Sequence, residues 1–262
     1  MVLKEHYTFG DSDLAATRLR LLASVFEPGS SRLLARLADP GGELAVDLGC
    51  GPGYTTALVA EHIAAKSVIG LDQSLRLLEQ ATRERRDARV SFVHCDVSSA
   101  PFSVPPADFL YSRFLLTHLR DPAQVVRAWA SAATPGARLV LEETASMNGE
   151  HPAFPCYYAL VERMQAHYGQ RMYVGRELEA LCSSPDWVVE SADIAHSALP
   201  ATDMARLHAL NLQTWASDTF ARDNYAAEQL SKLADELRSI ATGEADAPPV
   251  ALGMGQVVLR KR

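Results

Sequence analysis

The order of apolar runs and helical stretches predicts an open α/β fold, with a doubly wound, Rossmann-like sheet at its centre. Three observations carry this expectation. Short β-rich runs alternate with helices of about ten residues, a pattern that needs parallel strands and crossovers. A glycine-rich turn, Gly49-Cys50-Gly51-Pro52-Gly53, joins the first run to the next helix. Acids then close the next two runs, Asp72 and Asp96, at the strand ends where open α/β sheets bind ligands.

The elements follow in order. Leu14, Arg18, Leu21, Leu22 and Val25 recur at helical spacing, with Asp11, Ser12 and Asp13 as capping groups at the start. Pro28-Gly29 predicts the end of that helix, and a second short helix is expected over 31–38. Strands are predicted at 44–48, 67–71, 90–94, 109–112 and 138–142, and helices at 54–64, 74–86, 115–119 and 123–133. After Glu143 the pattern changes. A helix rich in Tyr and Met is expected over 152–173, a short one over 176–182 and a strand over 187–192. Helix returns over 199–243, and 256–260 reads as a final strand.

Composition narrows the classes. The 262 residues are 48% hydrophobic and 22% charged, the make-up of a soluble globular chain. A net charge of −7 predicts neither nucleic acid nor an anionic membrane as a partner. Cys50, Cys95, Cys156 and Cys182 are scattered, so no metal site and no disulfide framework is expected. Reduced thiols, no signal-peptide layout and no apolar run of about 18 residues together predict a cytoplasmic protein. A monomer or homodimer is expected.

The sharpest signal is Val46-Asp47-Leu48-Gly49-Cys50-Gly51-Pro52-Gly53-Tyr54. Glycines permit a tight turn and let backbone N–H groups approach a ligand, at the positive end of the following helix. Tyr54 stands where a dinucleotide fingerprint wants its third glycine, and Asp47 precedes the first glycine by two residues. Asp72 is placed to accept from both hydroxyls of a ribose, with Gln73 beside it. Asp96 is placed to accept from an exocyclic amine while Val97 packs on the ring. Each acid taken alone is also a good loop cap.

This set, with Tyr111-Ser112-Arg113, resembles the class I S-adenosylmethionine-dependent methyltransferases, and in particular the branch acting on small molecules, of ubiquinone/menaquinone and natural-product type. The resemblance implies a seven-stranded sheet whose last strand is antiparallel and inserted between neighbours. It implies S-adenosyl-L-methionine as cofactor, with Gly49, Cys50 and Gly51 around the methionine part and Asp47 and Gly53 also among the cofactor-binding residues. Asp72 would hold the ribose and Asp96 with Val97 the adenine, while Ser112 and Arg113 border the methionine end. It implies one domain over 1–262: N-terminal helices over 1–40, a cofactor-binding core over 44–147, and helical lid insertions over 148–175 and 199–245. The expected reaction is methyl transfer to a small, apolar or aromatic acceptor. The alternatives are a non-methylating catalyst that keeps the cofactor, of isomerase or pericyclic type, and a nicotinamide-dependent oxidoreductase.

Other residues stand out on physical grounds. Arg18 is cationic in the middle of an apolar stripe, where an unpaired charge is costly. It needs either a protein carboxylate or the carboxylate of the cofactor, with Tyr7 placed to close over the same site. His118, Glu143 and His151 are the candidate proton acceptors for an O- or N-linked acceptor. Tyr157, Tyr158, Met164, Tyr168, Met172 and Tyr173 form a candidate lining for that acceptor.

Overall fold

In the computed structural model, residues 13–37 and 42–262 are described. Seven strands form one sheet: β1 (Leu44–Leu48), β2 (Ser67–Asp72), β3 (Val90–His94), β4 (Ala107–Arg113), β5 (Ala133–Asn148), β6 (Trp187–Leu199) and β7 (Val250–Lys261). Their spatial order is β3-β2-β1-β4-β5-β7-β6. β1 to β5 pair in parallel, whereas β7 runs antiparallel between β5 and β6. This is the doubly wound sheet that the sequence pattern predicts, with the inserted antiparallel last strand that the family resemblance implies.

β1 sits near the centre and all five of its residues are buried, which is why it reads as an unbroken apolar run. Helices cover both faces. α1 (Asp13–Arg36) and α2 (Tyr54–His62) bury Leu34, Leu58 and Val59 with Tyr111 and Val140 on one side. α3 (Leu75–Glu84) packs along β2 and β3. On the opposite face α4 (Pro122–Trp129) buries Val126 and Trp129 with Leu48, Leu110 and Leu139. A separate apolar cluster joins α5 (Ala153–His167), α7 (Ala201–Trp215) and α9 (Ala227–Thr242), around Phe154, Met204, Trp215 and Leu237. Between them lie α6 (Leu178–Leu181) and α8 (Thr219–Asn224). Among the described residues, no helix is long and apolar enough to cross a membrane.

Several predicted boundaries are corrected. Pro28 does not end the first helix: α1 runs through it to Arg36. An interior proline costs about 3 kcal/mol, but Phe26, Leu33 and Leu34 on either side are buried in two different clusters, and that burial outweighs it. The 152–173 helix stops at His167, with Gly169 at φ 73 in the left-handed region. The stretch 199–243 is three helices. Asp218 starts the middle one by accepting the Phe220 N–H at 2.8 Å. At 115–119 only a single 3-10 turn forms, Leu116–His118. β5, β6 and β7 are longer than their apolar runs because the antiparallel ladder continues to Asn148–Ala251 and Leu199–Val250. Ladder hydrogen bonds do not require apolar side chains.

Candidate active site

The glycine loop is locked to the end of β2. The Gly49 and Cys50 N–H groups both donate to the Leu71 carbonyl, at 2.8 and 3.0 Å. Gly49, Gly51 and Gly53 all take positive φ, at 74°, 51° and 79°. The Gly51 N–H donates to Asp72 Oδ2 at 2.8 Å, and the other Asp72 oxygen accepts the Ser74 N–H at 2.8 Å. One carboxylate therefore shapes both the glycine loop and the start of α3. Burial pushes its pKa upward against those hydrogen bonds.

Asp47 lies underneath this loop. It accepts from the Thr55 and Thr56 hydroxyls, both at 2.7 Å, and so clamps the first turn of α2 to β1. Its burial raises the carboxyl to about 6 despite those two donors.

A cavity of about 490 Å³ opens above the loop. Gly49 and Gly51 line it from the loop, Asp72 and Gln73 from the end of β2, and Asp96 and Val97 from the end of β3. Asp96 Oδ1 accepts the Ser98 N–H at 2.9 Å and its hydroxyl at 2.6 Å, which orders the loop after β3. Arg113 and Phe114 line the cavity from the end of β4. Phe114 holds φ 57°, a conformation rare for a bulky residue, and its ring stands edge-on to Phe26 of α1 at 4.9 Å. Arg113 donates to the Ser30 hydroxyl at 2.9 Å, tying α1 to β4. Arg18 and His118 also line the cavity. Arg18 is 3% exposed, with Nη1 donating to Asn211 Oδ1 at 3.4 Å. Burial, with the nearby Arg18 charge, lowers His118 to about 3, so the ring is neutral.

Six of the sequence-derived candidates fall outside the cavity lining: Asp47, Cys50, Gly53, Ser112, Glu143 and His151. Cys50 and Ser112 are buried beneath the surface of the site. A side chain at Gly53 would meet the Phe92 ring at 2.7 Å, so close packing of α2 explains that glycine. Glu143 is turned inward, and its Oε1 accepts the Leu116 N–H at 2.6 Å. It thus holds the turn that carries His118, and burial raises its carboxyl to about 8. His151 Nδ1 accepts the Ala153 N–H at 3.2 Å at the start of α5. Tyr7 lies outside the described residues. Of the candidate lining, Tyr157 and Met172 face the cavity. Tyr168 instead donates to Asp218 at 2.8 Å, and Tyr173 packs under Arg176.

The sequence reading expected a lid over 199–245 but named none of the α7 residues that line the cavity. Met204, Leu207, His208 and Asn211 line the cavity opposite the loop, joined by Val161 and Gln165 from α5. The signal was present: these four positions are spaced i, i+3, i+4, i+7, with two polar residues on an otherwise apolar stripe.

Fold and glycine-loop site together resemble the methyltransferase domains of the class I, S-adenosylmethionine-dependent type. Residues 46–141 match the methyltransferase domain family. Over 114 residues the chain is 36% identical to a trans-aconitate 2-methyltransferase of Methylobacterium radiotolerans, covering 43% of this chain and 42% of that one. A second trans-aconitate 2-methyltransferase, of Rhizobium leguminosarum bv. trifolii, is 35% identical over 37% of each chain. The match thus spans about two fifths of these relatives. Among solved structures, the geranyl diphosphate C-methyltransferase of Streptomyces coelicolor A3(2) superposes with a TM-score of 0.54 at 13% identity, covering 98% of this chain and 89% of that one. The [4+2]-cyclase SpnF superposes with a TM-score of 0.55 at 18% identity, covering 98% and 84%. A shared fold therefore does not by itself fix the reaction.

The residues present fit S-adenosylmethionine. An added Cβ at Gly51 would meet no protein atom within 4 Å, so the loop leaves its backbone face open to the cavity. Gly49 is on the same wall, as are the two strand-end acids.

Proposed function

We propose that this protein transfers the methyl group of S-adenosylmethionine to a small, largely apolar or aromatic acceptor. One observation carries the reading. A single cavity joins the glycine loop and the strand-end acids to a wall of apolar side chains from α1, α5 and α7. Donor and acceptor then meet in one enclosed space, the arrangement an in-line displacement needs.

The cofactor supplies an electrophilic methyl group that is already activated. The chain's own residues position and shield. Asp72 and Asp96 provide acceptors for the ribose and adenine, with Val97 against the ring. Gly49 and Gly51 allow close backbone approach, and Arg18 offers a cation to a carboxylate. The helices over 153–167 and 201–242 act as the lid that excludes water. His118 is the one of the three candidate proton acceptors that lines the cavity. Held neutral, it is a hydrogen-bond partner for the acceptor and a weak base. Glu143 serves that role indirectly, by fixing the turn. This chemistry suits an acceptor that brings its own nucleophile.

Trans-aconitate, the substrate in the relatives' names, is a poor match. Among the described residues the cavity wall has two cations, Arg18 and Arg113, and Arg113 is already donating to Ser30. A tricarboxylate needs more.

Two measurements test the proposal. Calorimetry with S-adenosylhomocysteine should show binding that Asp72→Ala weakens by roughly 10- to 100-fold, the loss expected for a hydrogen-bonded charged group. Incubation with methyl-labelled cofactor and a panel of phenols, enols and tricarboxylates should put label into an apolar product. No binding of S-adenosylhomocysteine by the folded protein would overturn the assignment.

A further inference from the structure

We infer that the acceptor end of the cavity is built for an uncharged molecule with an apolar body and one hydrogen-bonding head, seated against Gln165 and His208. This rests on the proposed reading of the cavity as a methyl-transfer site.

The position of these two residues comes from helix geometry. Tyr157, Val161 and Gln165 on α5 are spaced by four, and Met204, Leu207, His208 and Asn211 on α7 follow the same period. Each helix therefore turns one stripe toward the cavity. Each stripe carries a polar group buried to 3% exposure, Gln165 on α5 and His208 on α7. Among the described residues, Gln165 Oε1 and His208 Nδ1 have no hydrogen-bond partner. A buried polar atom left unmade is costly, and such atoms are uncommon in folded chains unless something else satisfies them.

His208 is also held rigid. Its ring stacks on Tyr157 at 4.2 Å, meets the edge of Tyr158 at 5.2 Å, and places Nε2 3.2 Å from the Tyr158 hydroxyl. The ring orientation is thereby set, and Nδ1 is held buried at one place behind the cavity wall. Burial lowers its pKa to about 3, so it presents a neutral imidazole.

The distribution of charge excludes the other head groups. The acids on the wall, Asp72 and Asp96, are both at the β2 and β3 ends, on the nucleotide side. Among the described residues α5 and α7 bring no acid and no cation to the cavity. An ammonium head has no counter-charge there, and Arg18 would repel it. A polyanion would have to be desolvated beside amides and thioethers. Met147, Met172 and Met204, adaptable in shape, complete an apolar bed for the body.

The test uses the full chain, saturated with S-adenosylhomocysteine, and four probes sharing one naphthalene body: 2-naphthol, 2-methoxynaphthalene, 2-naphthoate and 2-naphthylmethylammonium. Calorimetry should show 2-naphthol binding at least ~10-fold tighter than its methyl ether, the contrast expected when a buried acceptor gains or lacks its donor. Both charged probes should bind more weakly than 2-naphthol. Gln165→Leu and His208→Phe should each shrink the naphthol preference several-fold while leaving S-adenosylhomocysteine affinity unchanged. Gln165→Leu also removes a buried amide oxygen that lacks a partner, so the variant should still fold, which a melt confirms. The inference is overturned if 2-naphthoate or the ammonium probe binds tightest. It is also overturned if no probe binds, or if the naphthol preference survives both substitutions. Absence of S-adenosylhomocysteine binding in the unaltered protein would instead remove the methyl-transfer reading beneath it.

Discussion

Glu143→Gln offers a direct measure of what the site costs the fold. Glu143 is 1% exposed at the end of β5, and its carboxyl is raised from 4.5 to about 8, chiefly by burial. The folded protein therefore keeps this proton across a range in which the unfolded chain releases it. Between those two values the folded state binds more protons, so raising the pH destabilises it. Integrating the two titrations gives a penalty of about 1 kcal/mol at pH 5 and about 3 kcal/mol at pH 7, levelling off above pH 8. A glutamine keeps the oxygen that accepts the Leu116 N–H but does not titrate. Any fixed cost of placing its amide is the same at both pH values, so the change in the difference is the readout. Relative to the native chain, the variant's melting temperature should rise by several degrees between pH 5 and pH 7, at about 2–4 °C per kcal/mol for a chain of this size. Scanning calorimetry of both proteins at the two pH values gives the answer. Melting temperatures that move in parallel would refute the account of Glu143 as a proton held by burial.

Two further substitutions probe the cofactor end. Gly51→Ala should fold, since its methyl group would touch nothing within 4 Å and the φ of 51° costs about 1–2 kcal/mol. It should nonetheless lose about tenfold or more in S-adenosylhomocysteine affinity if the loop's open face is where the ligand packs; unchanged calorimetric affinity would mean the loop face is not used. Arg18→Met should weaken the same ligand by about 10- to 100-fold, the range for a charge-assisted contact. A large fall in the ligand-free melting temperature with normal affinity would instead assign Arg18 to a bond within the protein.

Much of the site's framework was legible in the sequence because it is local. A glycine loop after an apolar run, with acids closing the next two runs, states an open α/β sheet and its ligand edge, and both appear in the structure. What each acid does was not legible. Asp47, Asp72 and Asp96 look alike in the chain, yet Asp47 is clamped by Thr55 and Thr56 under the loop while the other two reach the cavity. The difference depends on which way a strand residue points relative to a helix packed later, which neighbours in sequence do not encode.

The sequence by itself determined the α/β class, the glycine turn and the buried cation at Arg18, since alternation, positive φ and charge on an apolar stripe are properties of adjacent residues. Only the tertiary structure decided that Pro28 lies inside a helix, that Glu143 faces inward, and that α7 completes the cavity with His208 and Asn211. Each outcome depends on the packing of segments far apart in the chain. Burial of Phe26 and Leu34 outweighs a proline, a distant N–H at Leu116 captures the Glu143 carboxyl, and a helix 193 residues from Arg18 supplies a partner at Asn211. Contacts of that separation are set by how the apolar faces of whole elements fit together, and no local pattern specifies that fit.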